Sequence, residues 1–90
     1  MALDQAGTDG PFVTILTPVG KGAIGVVRVW GRGGVDVADA SFRPARRVGL
    51  RQTPNGRLRL GRVGRGLGDE AVAVVLDRDP DVLEIQCHGG

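Results

Sequence analysis

Cysteine, histidine and aromatic residues are scarce in this 90-residue chain, which has one cysteine, one histidine, two phenylalanines and one tryptophan. A single cysteine excludes an internal disulfide and is typical of a reducing compartment, so we expect a cytoplasmic protein. Cys87 and His88 have no other cysteine or histidine to complete a set of three or four ligands, so we expect no metal site. With so few aromatic rings, the core has to be built mainly from Val, Leu, Ile and Ala.

Long apolar runs are absent as well. The N-terminus, MALDQAGTDG, is polar and does not resemble a signal peptide. No apolar run approaches the length that a membrane span needs, so we expect no membrane partner. The length allows one small domain, and we interpret residues 1–10 as a flexible tail and residues 11–90 as the domain.

Acidic residues are missing from residues 43–65, which carry eight arginines, although the net charge of the chain is only +2. Residues 66–90 carry six acidic residues and one arginine. This division favours oriented contact with an anionic partner such as RNA, or with the acidic segment of another copy. The alternative is an arginine-rich surface that is merely solvated.

Hydrophobic patterning predicts about five strands and one short helix. Val35, Ala38 and Phe42 have helical spacing, which predicts a helix over residues 35–42 that ends before Pro44. Apolar or alternating runs predict strands over residues 12–16, 23–30, 57–63, 70–76 and 83–87. The connections have hairpin length, so the fold class is α+β with a mostly antiparallel sheet.

In two of these strands, the pattern of side chains predicts which faces are buried. In residues 57–63, Leu58 and Leu60 lie opposite the arginines and predict a half-buried strand. Residues 70–76 are almost entirely apolar, which is typical of a central strand that is buried on both faces.

The last strand separates apolar from polar side chains. Leu83, Ile85 and Cys87 share one face, whereas Glu84 and Gln86 share the other. His88 follows on the polar side if the strand continues that far. This row of hydrogen-bonding side chains predicts a functional role in addition to packing of the sheet.

Arg28 lies in a strand between valines, on the same side as Trp30. A guanidinium there cannot be buried without a partner. Its carboxylate partner is either Glu84 of the same chain or a group on a ligand. Arg28 can also use both, pairing with Glu84 in the empty site and with the ligand once it binds.

The segment Gly20-Lys21-Gly22 invites comparison with a phosphate-binding loop. The loop motif requires glycine where the chain has Ile15, and Ser or Thr where it has Gly22. The segment therefore does not predict a nucleotide site.

Two stretches carry a family resemblance. VLEIQCHGG at residues 82–90 and TPVGKGAIGVVRV at residues 17–29 resemble the motifs of the folate-binding N-terminal domain of the MnmE (TrmE) tRNA-modification GTPases. The resemblance covers about residues 12–90. It implies a folate-binding-domain-like fold, pairing with a second copy, and tRNA or a tRNA-modification protein as a partner.

The resemblance also implies a ligand and its binding residues. The ligand is 5-formyltetrahydrofolate or another reduced folate, the source of the one-carbon unit added to the wobble uridine of tRNA. Arg28 and Glu84 match the positions that bind it, and Lys21, Gln86 and His88 are weaker candidates. The glutamate is expected to accept hydrogen bonds from the pterin ring.

Three departures from the family pattern shape the functional prediction. Trp30 replaces a small polar residue, a loop of the type PxSYTGED is missing before Val82, and the chain ends at the HGG motif, before any GTPase domain. We therefore expect a C-terminally shortened, non-catalytic folate-binding and dimerisation domain. The alternatives are a structural homologue that has lost folate binding and an RNA-associated accessory protein that uses its arginine block.

Overall fold

A computed structural model, which describes residues 10–16, 24–64 and 66–88, shows an antiparallel sheet with one α-helix. Its strands are β1 (Phe12–Ile15), β2 (Ile24–Trp30), β3 (Phe42–Pro44), β4 (Leu58–Val63), β5 (Asp69–Arg78) and β6 (Asp81–His88). The helix α1 (Gly34–Ser41) precedes β3, and a short 3₁₀ helix (Leu50–Gln52) precedes β4. The six strands have the order β1-β2-β6-β5-β4-β3. The predicted α+β class and antiparallel sheet are confirmed.

Helix α1 packs on one face of the sheet because its apolar residues recur at helical spacing. Val35 and Ala38 are buried against a core that includes Val29, Val75 and Leu83. The same face carries the apolar side of β6, so the predicted partition of that strand is confirmed. Val29, Leu83 and Val75 lie next to one another in the register of β2, β6 and β5.

The end of the helix differs from the sequence prediction. Phe42 does not belong to α1 but opens β3, a strand that the sequence analysis did not predict. Its ring is buried over Gly61, where an added Cβ would lie 2.5 Å from the ring. Packing of this ring, and not local propensity, therefore fixes the backbone at residue 42. The sequence did not predict β3 because a three-residue strand has too few positions to show a pattern.

The two sides of β4 also differ from expectation. The strand is confirmed, but Leu58 and Leu60 are 63% and 67% exposed and are not its buried side. Gly61 and Val63 turn toward the core instead, with Gly61 beneath the ring of Phe42. The alternation was identified correctly, but leucines were assumed to face inward.

The sheet has a second face, turned away from α1, which we call the open face. It carries Leu58 and Leu60 together with a band of polar residues. Its register places the following residues side by side or in successive rows: Thr14, Arg28, Glu84, Gln86, Val72, Val74, Leu58, Leu60, Arg62 and Arg43. In the part of the chain that the structure describes, no helix is long and apolar enough to cross a membrane.

Candidate functional site

Arg28 and Glu84 lie directly opposite each other on β2 and β6, in the middle of the open face. Arg28 donates from Nη2 and Nε to the same carboxylate oxygen, Oε2 of Glu84, at 2.5 and 3.1 Å. The Glu84 side chain is 17% exposed and that of Arg28 is 41% exposed. Strand pairing therefore brings the two main predicted site residues into an ion pair.

The other oxygen of Glu84, Oε1, accepts no hydrogen bond from the described residues. A carboxylate oxygen can accept two hydrogen bonds, so this group keeps acceptor capacity beyond its contact with Arg28. The charge is balanced and the carboxylate is held in one orientation. A largely buried, fixed carboxylate with a free oxygen is suited to accept N–H groups of a ligand.

Trp30 lies one position along the open face from Arg28. Its ring packs on Phe12 with a centroid distance of 4.5 Å and an angle of 32°. Its Nε1 lies 3.4 Å from the hydroxyl oxygen of Thr14, the residue opposite Arg28 on β1. The indole is therefore held over β1, beside the ion pair.

The weaker candidates have different outcomes. Gln86 is exposed on the open face, the next residue on that side of β6 after Glu84. His88 ends β6, but its side chain lies outside the described part of the structure, as does all of Lys21. Cys87 packs against the core on the opposite face. Within residues 10–16, 24–64 and 66–88, no cluster of three His, Cys, Asp or Glu residues could hold a metal ion.

A groove of about 620 Å³ adjoins this polar band but does not include the ion pair. Its lining includes Leu60, Val72 and Gln86, with Arg43 and Arg62 toward β3 and β4. Sequence reasoning missed the groove because it depends on β3. The only available signal was the arginine block, whose placement on the sheet could not be predicted.

The arginine block is divided between internal and exposed roles. Arg51 pairs with Asp36, and Arg59 donates to the Thr53 hydroxyl at 3.0 Å. Arg43 and Arg62 donate to backbone carbonyls of the loop that joins β4 to β5. Three further arginines are exposed and have no side-chain partner among the described residues: Arg46, Arg47 and Arg57. The block is thus not one continuous unpaired surface.

The chain is similar to known proteins along most of its length. No protein-family model matches the chain. The chain is 40% identical over 90 residues to the tRNA modification GTPase MnmE of Chlorobium phaeobacteroides and 38% identical over 88 residues to that of Geobacillus kaustophilus. The MnmE of Symbiobacterium thermophilum is 40% identical over 88 residues.

The first two alignments cover 89% and 88% of this chain but 19% of each relative. The chain therefore spans about one fifth of the length of the curated relatives that it matches. The coverage agrees with the region that the two sequence motifs indicated. Along most of its length, this chain is thus related to one portion of the tRNA modification GTPase MnmE, the family that its motifs resemble.

Proposed function

We propose that the chain is a folate-binding module of a tRNA-modification system, with Arg28 and Glu84 as the residues that bind the pterin ring of a reduced folate such as 5-formyltetrahydrofolate. The observation that carries the proposal is the Arg28–Glu84 pair. Both residues lie in the matched motifs, and they meet on the open face with one carboxylate oxygen that accepts no hydrogen bond from the described residues. Folate would supply the one-carbon unit, and this chain would hold it.

The hydrogen-bonding edge of a pterin fits the pair. That edge presents the 2-amino group and the ring N3–H as neighbouring donors, followed by a carbonyl oxygen. Oε2 of Glu84 already accepts two hydrogen bonds from Arg28, whereas Oε1 accepts none from the described residues and has two lone pairs for these donors. Arg28 lies beside the carboxylate and can donate to the carbonyl oxygen, so the two side chains complement all three groups.

Binding of 5-formyltetrahydrofolate by isothermal titration tests the proposal. Replacing Glu84 by Gln removes the charge and puts an amide donor opposite the donors of the pterin. We expect affinity to fall by roughly tenfold to a hundredfold, since a hydrogen bond to a charged group contributes about 1.5–3 kcal/mol.

Asp69→Asn is the matched control, because Asp69 is an exposed acid at the start of β5, away from β2. It should bind folate as the wild type does. Thermal melting verifies that each variant folds. Saturable binding that is unaffected by Glu84→Gln, or no binding by folded wild-type protein, would overturn the proposal.

We also propose that the module pairs with a second copy through β1. This strand ends the sheet, with β2 as its neighbour on one side. Val13 and Ile15 point toward the helix-bearing side but are 63% and 60% exposed. An edge strand with exposed apolar side chains can extend its ladder with the same strand of another copy, since antiparallel pairing is self-complementary.

A further inference from the structure

The groove beside the ion pair has a basic end with an unusual feature. Arg43 and Arg62 are direct partners in the register of β3 and β4, so two positive side chains share the open face at adjacent positions. Like charges directly opposite each other in a sheet are destabilising. An arrangement of this kind is stabilised by a group that presents negative charge between the two guanidinium groups.

The protein itself balances this charge only in part. Arg43 donates to the carbonyl oxygens of Gly64 and Gly66 at 2.7 and 3.1 Å, and Arg62 donates through Nη1 to that of Gly68 at 3.1 Å. These carbonyls hold the guanidinium groups in place without carrying a full charge. A guanidinium has five N–H donors, so both arginines retain donors for another acceptor.

Glu70 lies opposite Arg62 in the register of β4 and β5. Its Oε2 lies 3.9 Å from Nη2 of Arg62, and its side chain is 76% exposed. An exposed pair at this distance contributes little to stability. Glu70 is therefore a weak and displaceable partner for Arg62, and it repels an incoming anion.

The rest of the groove is suited to an aromatic body. Leu60 and Val72 lie across from each other on β4 and β5, and Leu60 is 67% exposed. Gln86 pairs with Val72 and supplies an amide on the side toward Glu84. Across the open face, the groups thus lie in the order carboxylate, amide, apolar floor and two guanidinium groups.

The spacing suits a ligand that spans both ends. Arg62 lies two strands from Glu84, and Glu70 is four residues along β5 from Val74, the partner of Glu84. Strand spacing and residue rise then give a diagonal of roughly 17 Å between the Arg62 and Glu84 positions. An extended folate monoglutamate has about this length.

We infer that the groove binds the p-aminobenzoylglutamate tail of the folate, with the benzoyl ring over Leu60 and Val72 and a glutamate carboxylate at Arg62 and Arg43. This inference rests on the proposed function, because the pterin ring has to sit at Glu84. It assigns a second set of contacts to residues outside the matched motifs.

Paired ligands and paired variants test the inference. Titrations compare 5-formyltetrahydrofolate with a tetrahydropterin that has the same bicyclic ring and no tail. Arg62→Gln should weaken binding of 5-formyltetrahydrofolate roughly tenfold, because a charge-assisted hydrogen bond is lost, and should leave the tailless ligand unchanged. Arg57→Gln, an exposed arginine outside the groove, should change neither affinity.

Glu70→Gln gives a change of opposite sign. It removes the competing carboxylate from an exposed position, so binding of 5-formyltetrahydrofolate should strengthen severalfold while that of the tailless ligand stays the same. A variant that binds more tightly cannot be explained by loss of folding. The inference is wrong if Arg62→Gln and Glu70→Gln both leave the affinity for 5-formyltetrahydrofolate unchanged, or alter both ligands equally.

The Glu84→Gln variant separates this inference from the proposed function. If both ligands bind and their affinities depend on Glu84 but not on Arg62 or Glu70, the tail site alone is overturned. Binding of neither ligand by folded wild-type protein would overturn the pterin site and the tail site together.

Discussion

Thr53 shows how a single buried hydroxyl holds a charged side chain in place. It is 2% exposed, donates to the carbonyl oxygen of Gly49 at 2.8 Å and accepts from Nε of Arg59 at 3.0 Å. Arg59 alternates with Leu58 and Leu60 on β4, on the side where the sequence suggested solvent. The hydroxyl supplies the acceptor that lets this arginine turn inward.

Replacing Thr53 by Val retains the shape of the side chain and removes both hydrogen bonds. We expect the free energy of unfolding to fall by about 1–3 kcal/mol, because the Gly49 carbonyl and the Arg59 guanidinium lose a partner in a site with little access to water. Urea denaturation measures the change. Thr53→Ser keeps the hydroxyl and should cost less than Val; a larger loss for Ser would contradict this account.

At the same scale, the contact between Arg28 and Glu84 was easier to anticipate from the sequence than the packing of the core. An arginine between valines needs a carboxylate, and Glu84 was one of the two partners that the sequence left open. The register of β2 and β6 then places the two side chains opposite each other. Gly61 could not be recognised as the seat of Phe42, since nothing local to either residue reports their contact. Position 42 was therefore assigned to a helix whose spacing it happens to continue.

Arg78, at the end of β5, fixes the position of the 3₁₀ helix and the turn that follows it. Its guanidinium donates to Asn55 Oδ1 at 2.7 Å and to the carbonyl oxygens of Arg51, Leu50 and Thr53. The carbonyl oxygen of Leu50 also accepts from the backbone N–H of Thr53 at 3.1 Å. A planar group with several donors can bind this carbonyl and its two neighbours together. Arg78 lies between the strands predicted over residues 70–76 and 83–87, where no sequence pattern indicates this role.

Replacing Arg78 by Lys keeps the charge but not the planar fork of donors. We expect a loss of about 2–3 kcal/mol in the free energy of unfolding, since most of these hydrogen bonds to a charged donor disappear. Hydrogen exchange should accelerate most at residues 50–56. Arg57→Lys serves as control, as Arg57 is exposed in the same turn; equal effects from the two changes would contradict a specific role for Arg78.

Long-range contacts also explain which element boundaries could be predicted. Helix α1 begins where the carboxylate of Asp81 accepts from the backbone N–H of Val35 at 2.9 Å, a cap supplied by β6 from the other end of the chain. The helix predicted over residues 35–42 is one residue out of step with α1 at each end, and Pro44 limits how far it can extend. The cap at the beginning of α1 and the strand β3 depend on partners distant in sequence, and no pattern in neighbouring residues reports them.

For the whole molecule, the sheet order determines where a second copy can join. The β3 end of the sheet is short and contains Pro44, which has no backbone N–H to extend a ladder. The β1 end offers backbone groups and the exposed side chains of Val13 and Ile15. Pairing of two copies at β1 would leave the groove beside β3 open, so the proposed dimer contact and the proposed tail site lie at different ends of the sheet.

Light scattering at increasing protein concentration measures this pairing. We expect the wild-type chain to approach the mass of two copies, and the double variant Val13→Lys, Ile15→Lys to remain a monomer, because charged side chains at an edge strand oppose addition of another strand. Leu67→Lys is the control, since Leu67 is 87% exposed in the loop between β4 and β5. A wild-type chain that stays monomeric at high concentration, or a Leu67→Lys chain that dissociates as readily as the double variant, would rule out association through β1. Because β1 and the groove lie at opposite ends of the sheet, the monomeric double variant should still bind the tailless pterin and distinguish it from the full folate through Arg62.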